Sequence, residues 1–196
     1  MSDLDNLITI RSNDVAPRGG RILISEPFMY DFYFGRSVVL LAQHGEEGSF
    51  GIIVNKPLKL RFNDVVKDFP DYEGQIYLGG PVKSDSLFFI HTLGEEIDDS
   101  LEILKGLYWG GDLENVKELL SMKRLTDQNI RFFLGYSGWS PRQLEAELKR
   151  NSWAVSSTNA HLIMNTVPEK LWKMSLFQLG KEYSRWATYP SDPGLN

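Results

Sequence analysis

The sequence predicts an α+β fold: a mixed sheet with helices set unevenly around it. Three observations carry that prediction. β-rich apolar runs outnumber amphipathic stretches along the 196 residues. Consecutive runs, such as "RSVVLLAQH" and "FGIIVNK", follow one another with only a turn between them. The helical stretches do not alternate with strands in the βαβ manner of a doubly wound parallel sheet.

Taken in order, the chain opens on a polar segment with a small apolar patch at Leu4, Leu7, Ile8 and Ile10, suited to a short helix. "APRGG" turns the chain into "RILIS", the first strand. "RSVVLLAQH" (36–44) is nearly continuous in apolar residues and reads as a strand buried on both faces. "GEEGS" turns it, and "FGIIVNK" (50–56) returns as the second arm of a hairpin with a longer loop. Pro57 lacks an N–H and is expected to stop the ladder. "FNDVVKDF" (62–69) places Phe62, Val65, Val66 and Phe69 on one helical face, and Pro70 ends it.

"GQIYLGG" and "SLFFIHTL" are read as two strands joined by "PVKSD", and "LEILKGLYWGG" as another strand, with a helix as the alternative. In "DLENVKELLSM" (112–122), Asp112 is the N-cap of a helix with Leu113, Val116, Leu119 and Leu120 as its stripe. "NIRFFLGY" (129–136) is a strand, "PRQLEAELKR" (141–150) a helix and "WAVSS" a short strand. In "TVPEKLWKMSLFQLG" (166–180), Thr166 and Glu169 have capping-box spacing, Pro168 suits the first turn and Gly180 ends the helix. The final segment is either a loose tail or a strap packed through Trp186 and Tyr189.

Composition removes several chemistries. The chain has no cysteine, which excludes disulfides, thiolate nucleophiles and zinc–thiolate sites. Its net charge is −5 and it carries no long run of like charge. The short basic groups Lys56, Lys59, Arg61 and Lys149, Arg150 sit among acids, so nucleic acid is not the expected partner. Neither a signal peptide nor a membrane-spanning stretch is read, and a cytoplasmic protein is expected.

The segment "FFLGYSGWSPRQLEAEL" (132–148) raises the possibility of a nucleophile elbow, G-x-S-x-G, around Ser137. Trp139 stands where the second elbow glycine belongs. Helix-start chemistry explains the rest: Ser140 as N-cap, Pro141 at N1 and Gln143 at N3 make a capping box. Ser137 is therefore read as part of a bend that launches a helix. "GGPVKS" (79–84) fails as a phosphate loop, because Val82 replaces the glycine before Lys83 and a strand follows. His44, His91 and His161 are the only histidines, and none has the spacing of a helical zinc site. Ser137 with His44 or His91 is the weak catalytic alternative. The acidic pairs Glu46–Glu47, Glu95–Glu96 and Asp98–Asp99 read as surface charge, and Trp139, Trp153 and Trp172 as packing residues.

Several segments together, "FGRSVVLLAQHGEEGSFGIIVNKP", "LGGPV", "FFLGYSGWSPRQLEAEL", "NSWAV" and "LWKMSLFQLG", resemble the YqgE/AlgH family of bacterial proteins. The likeness runs over roughly residues 19 to 180. It implies a mixed, bifurcated β-sheet forming a pseudo-barrel flanked by helices, and a label as a candidate transcriptional regulator without an agreed activity. Its recurring positions fall on His44, Gly51, Asn55, Pro57, Gly79, Gly80, Pro81, Gly135, Gly138, Trp139, Gln143, Leu144 and Glu145. It supplies no catalytic set. "GEEGS" stands where a more glycine-rich turn is common. The expected organisation is an N-terminal extension (1–18), one domain (19–182) and a C-terminal tail (183–196).

The leading functional expectation is a non-enzymatic regulatory or binding module. It acts through a protein partner or a small anionic ligand, with no cofactor and no metal. Three glycine-bearing segments, 45–51, 79–84 and 135–140, are expected to converge on a pocket. The ligand-binding candidates are His44, Gly51, Asn55, Gly79, Gly80, Gly135, Gly138 and Trp139. A hydrolase using Ser137 and direct DNA binding are the alternatives.

Overall fold

A computed structural model describes residues 11–190. The helix expected near Leu4 to Ile10 and the last part of the tail lie outside the described residues. Ten strands are formed: β1 (Arg21–Ser25), β2 (Val38–Gly45), β3 (Gly48–Ile53), β4 (Pro57–Arg61), β5 (Gln75–Leu78), β6 (Val82–His91), β7 (Leu101–Leu104), β8 (Leu107–Trp109), β9 (Ile130–Trp139) and β10 (Trp153–Ser157). The helices are α1 (Phe62–Val65), α2 (Leu113–Ser121), α3 (Gln143–Lys149), α4 (Ala160–Asn165), α5 (Pro168–Leu179) and α6 (Lys181–Ser184). No helix among the described residues is long and apolar enough to cross a membrane.

The strands form one sheet in the order β10-β1-β2-β3-β9-β6-β8-β7, with β5 also on β9 and β4 on β5. All pairs are antiparallel except β5–β9. The α+β class and the bifurcation hold, and β9 is the branch. Its Phe132–Leu134 stretch pairs with β5, and its Ser137–Trp139 stretch pairs with β3 on the same side. The sheet curls far enough that a Cβ placed on Gly20, just before β1, would lie 2.6 Å from the carbonyl oxygen of Ile103 in β7. The terminal strands β10 and β7 do not pair, so the sheet is not closed into a barrel.

β2 shows how the sequence makes the layers. Val38 and Leu40 enter the core under α4, α5 and the Trp186 strap, while Val39 and Leu41 enter a second core under α3. Alternation at period two sends neighbouring residues to opposite faces, so a strand covered on both sides must be apolar throughout. A third core, around Phe62, Phe132, Ile76 and Val116, joins α1 and α2 to the lower half of β9. Each fully buried leucine or isoleucine contributes roughly 1.5–3 kcal/mol of transfer free energy. Buried Arg131 ties the first core to the sheet by donating from both terminal nitrogens to the Ile163 and Met164 carbonyls at the end of α4, at 2.9 and 2.8 Å. The outer edge of β10 is covered by Asn13, whose side-chain amide donates to the Val155 carbonyl and accepts from the Val155 N–H.

Several boundaries differ from expectation. The β2–β3 hairpin has a two-residue loop, Glu46–Glu47, because Gly45 pairs directly with Gly48. Pro57 begins β4 instead of ending a ladder. It is the first residue of an edge strand, where its missing N–H costs least. The helix read over 62–69 is one turn, 62–65, although Phe69 still packs on Phe62 at 5.5 Å. "LEILKGLYWGG" is two strands, β7 and β8, folded back at Lys105–Gly106. Asp112 caps α2 as expected, accepting from the Glu114 N–H at 3.0 Å. Neither capping box is completed. Arg142 in a left-handed conformation precedes α3, and Val167 precedes α5. The sequence reading missed α4, capped by the Asn159 side chain. The end of the described chain is a strap: Trp186 is buried, and Tyr189 packs on Phe28 with ring centroids 4.9 Å apart.

Candidate functional site

The bend expected at Ser137 is not there. β9 runs straight through Ser137, Gly138 and Trp139, and the chain turns only at Ser140–Pro141. Ser137 is fully buried, and its hydroxyl donates to the Gly79 carbonyl at 3.1 Å. The same carbonyl accepts from the Ile53 N–H at 2.9 Å, and the Gly79 N–H donates to Leu134 at 2.8 Å. Gly79 thus sits in the crotch of the branch, and Ser137 closes it. A Cβ on Gly79 would run into the Gly135 carbonyl. Gly135, at φ 69°, takes a backbone conformation that glycine adopts without Cβ strain. Gly51 and Gly80 are packed against the backbones of Leu40 and Tyr136 in the same way. These glycines, named as ligand-binding candidates, let main chains cross at close range.

The histidines are separated. His91 is fully buried, with Nε2 donating to the Gly110 carbonyl at 3.0 Å and Nδ1 accepting from the Leu93 N–H at 3.3 Å. This fixes a neutral ring, stacked on Tyr108 at 5.5 Å. Burial holds its pKa below the usual imidazole value, opposed by the bond to Gly110. His91 pairs with Ile130, seven positions along β9 from Ser137, a span of roughly 20 Å at the usual strand rise. His44 lies near the hairpin tip, its Nδ1 2.7 Å from the Ser49 hydroxyl and its Nε2 3.9 Å from the Glu145 carboxylate. The structure therefore does not assemble Ser137 with either histidine. Asn55 is nearly buried and spent internally: it accepts from the Val38 N–H at 2.7 Å and donates to the Arg36 carbonyl at 3.0 Å. His161 is exposed on α4, 3.1 Å from Asn165.

The three glycine-bearing segments do meet at one cavity. An open groove of about 690 Å³ is lined by parts of 45–51, 79–84 and 135–140 together with Phe88 and Trp109. Its apolar wall draws one aromatic residue from each of four neighbouring strands: Phe50 (β3), Tyr136 (β9), Phe88 (β6) and Trp109 (β8). The rings form a closed circuit. Centroids lie 5.6 Å apart for Phe50–Trp109, 5.8 Å for Phe88–Trp109, 5.4 Å for Phe88–Tyr136 and 6.4 Å for Phe50–Tyr136. All four are only partly buried. Exposed Gly138 pairs with Phe50, and a Cβ on it would press on the Tyr136 ring at 3.3 Å. Its lack of a side chain keeps the groove floor low. Gln43, Lys83 and Ser140 supply polar groups around the rings.

A second cleft, of about 800 Å³, adjoins the groove through Glu47 and Pro141. It holds His44, Glu46, Glu145 and Arg142 as well. Three carboxylates face one guanidinium, so the cleft stays negative in either charge state of His44. Behind the Ser140–Pro141 turn lies Glu147, which the sequence reading did not single out. Its carboxylate accepts from both indoles, Trp139 at 2.9 Å and Trp153 at 2.8 Å, and from Gln143 at 3.0 Å. Gln143 in turn accepts from the Ser140 N–H at 3.0 Å. Charge-assisted bonds of this kind are stronger than neutral ones and orient the segment that lines both cavities. Trp139 itself is buried at 6% exposure, so it supports the groove from behind. The groove aromatics were also missed. Their signal was the recurrence of large rings on predicted strands, but which strands are neighbours is a tertiary fact. Among the described residues no cluster suited to a metal ion occurs.

Known proteins share this architecture. The AlgH-like family model (DUF179) matches residues 22–184. A UPF0301 protein of Bacteroides thetaiotaomicron is 46% identical over 192 residues, covering 97% of each chain. A UPF0301 protein of Parabacteroides distasonis is 47% identical over 198 residues and covers 100% of each. The solution structure of the AlgH protein from Pseudomonas aeruginosa superposes with a TM-score of 0.70 at 27% identity, covering 91% of this chain and 98% of that one. A crystal structure of a Corynebacterium diphtheriae protein shares the fold, with a TM-score of 0.74 at 21% identity over 95% of this chain and 97% of its own. With the model match spanning most of its length and close relatives aligned end to end, the chain belongs to the AlgH-like family.

Proposed function

We propose that the protein is a non-enzymatic binding module of regulatory character, placed in the cytoplasm, and that the aromatic groove is where it engages its partner. The observation that carries this reading is the set of four partly buried rings on adjacent strands around a glycine floor. Isolated exposed apolar residues are ordinary on protein surfaces, whereas a contiguous aromatic concavity with a few polar groups at its rim is the usual form of a recognition site. Its volume also falls within the roughly 300–1,000 Å³ range of ligand sites. Between the two partner classes open from the sequence, a protein segment is favoured over a small anion. Among the described residues Lys83 is the groove's one cationic side chain, Glu47 lines the same groove, and the Gly79 backbone is already bonded to Leu134 and Ile53. A regulatory effect on transcription would then pass through a protein partner, since the acidic cleft repels a polyanion.

The test is a titration of isotope-labelled protein with indole as an aromatic probe, and separately with inorganic phosphate. Indole at millimolar concentration is expected to shift the amides of Phe50, Phe88, Trp109, Tyr136 and Gly138, and phosphate to leave them in place. Indole shifts that scatter over the surface, or spare these amides, would refute the groove as the site.

A further inference from the structure

Resting on the groove reading above, the charge distribution points to a particular occupant. We infer that the groove and the adjoining cleft together take an extended segment of a protein partner in which aromatic or proline residues stand next to an arginine or lysine.

Two independent features of one continuous surface lead there. The groove offers ring faces and edges from Phe50, Phe88, Trp109 and Tyr136. Aromatic-lined grooves suit extended, poorly hydrogen-bonded segments, because rings contribute contact area without requiring main-chain partners. The cleft begins where the groove ends, at Glu47 and Pro141, and gathers Glu46, Glu47 and Glu145 against Arg142. A segment lying across the rings therefore runs on into a negative pocket. A guanidinium or ammonium there meets carboxylates and the π faces favour cations on the way. An acidic segment would be repelled at that end, and an uncharged one would leave the cleft unused. The Ser140–Pro141 turn that borders both cavities is held by Gln143, which accepts from the Ser140 N–H and donates to Glu147, so the apolar and acidic subsites meet at a fixed turn.

The experiment is selection from a displayed random peptide library on the full chain, repeated on Tyr136→Ala and on Glu47→Lys. Selected peptides are expected to combine an aromatic or proline residue with arginine or lysine. Synthesised singly, they should bind Tyr136→Ala about tenfold more weakly, the loss of one aromatic anchor. Glu47→Lys should cost about fivefold or more, because it removes one exposed ion pair of up to about 1 kcal/mol and adds a like charge, and undiminished affinity in that variant would overturn the inference. Raising salt from about 0.05 M to 0.5 M should weaken binding in the same direction. Enrichment of neutral or acidic peptides that still lose affinity in Tyr136→Ala would overturn the inference while leaving the groove reading intact. Peptides indifferent to Tyr136→Ala, or no enrichment at all, would overturn the inference outright. Circular dichroism confirms folding of each variant, and Glu47→Lys, at an exposed loop position, keeps the test valid if Tyr136→Ala does not fold.

Discussion

Two regions built from the same five residues, Gly135 to Trp139, behave in opposite ways. On one side of β9 the branch point is sealed: Ser137 meets Gly79, and the neighbouring glycines are packed against carbonyls. On the other side Tyr136 and Gly138 face an open groove lined with partly buried rings. Strand alternation divides the motif, so adjacent residues serve the branch and the groove separately. The most recognisable feature of the segment, a serine between glycines, belongs to the sealed side. The side facing the groove is marked by a tyrosine and a missing side chain.

The comparison is broken most forcefully at Gly79. Gly79→Ala puts a methyl group into the Gly135 carbonyl at the branch, and is expected to cost about 3 kcal/mol or more, read from urea unfolding. A change below about 1 kcal/mol would mean the branch is loosely packed and the contrast false. Ser137→Ala is milder. It removes one buried hydrogen bond and should cost about 1 kcal/mol, with no change in the affinity of a groove-binding peptide. Reduced peptide affinity in that variant would show that the two sides are coupled.

The smallest expected effect is a pH dependence at His91. Its folded pKa lies below its unfolded value of about 6.5, because burial disfavours the charged ring. The neutral ring's contribution is therefore complete above about 6.5 and is lost as pH falls through the lower, folded value. Urea midpoints of wild type and His91→Phe, compared over that interval, should show the steeper acid decline in wild type. Equal slopes would place the titration elsewhere.

Much of this organisation was legible in the sequence, and the failures have physical causes. β2, β3 and β9 announce themselves because strands covered on both faces need continuous apolar runs. α2 is legible from Asp112, whose cap is local. The strand end at 137–139 was misread because glycine favours turns when judged locally, whereas here it serves a close crossing set by β3 and β5. α4 escaped because it is too short to develop a clear period. The convergence of three glycine-bearing segments was readable; the aromatic wall was not, since Phe88 and Trp109 become neighbours of Phe50 only when β6 and β8 take their places in the sheet.

The Asn13 amide on Val155 carries a last consequence. A strand at the rim of a sheet offers its free peptide groups to any other chain, and stacking of copies can begin there. Here a single side chain occupies both polar groups of the central residue of β10, and Ser12 takes the carbonyl of Trp153 two positions away. The molecule thereby withholds the peptide groups of this border from any strand that would extend the sheet.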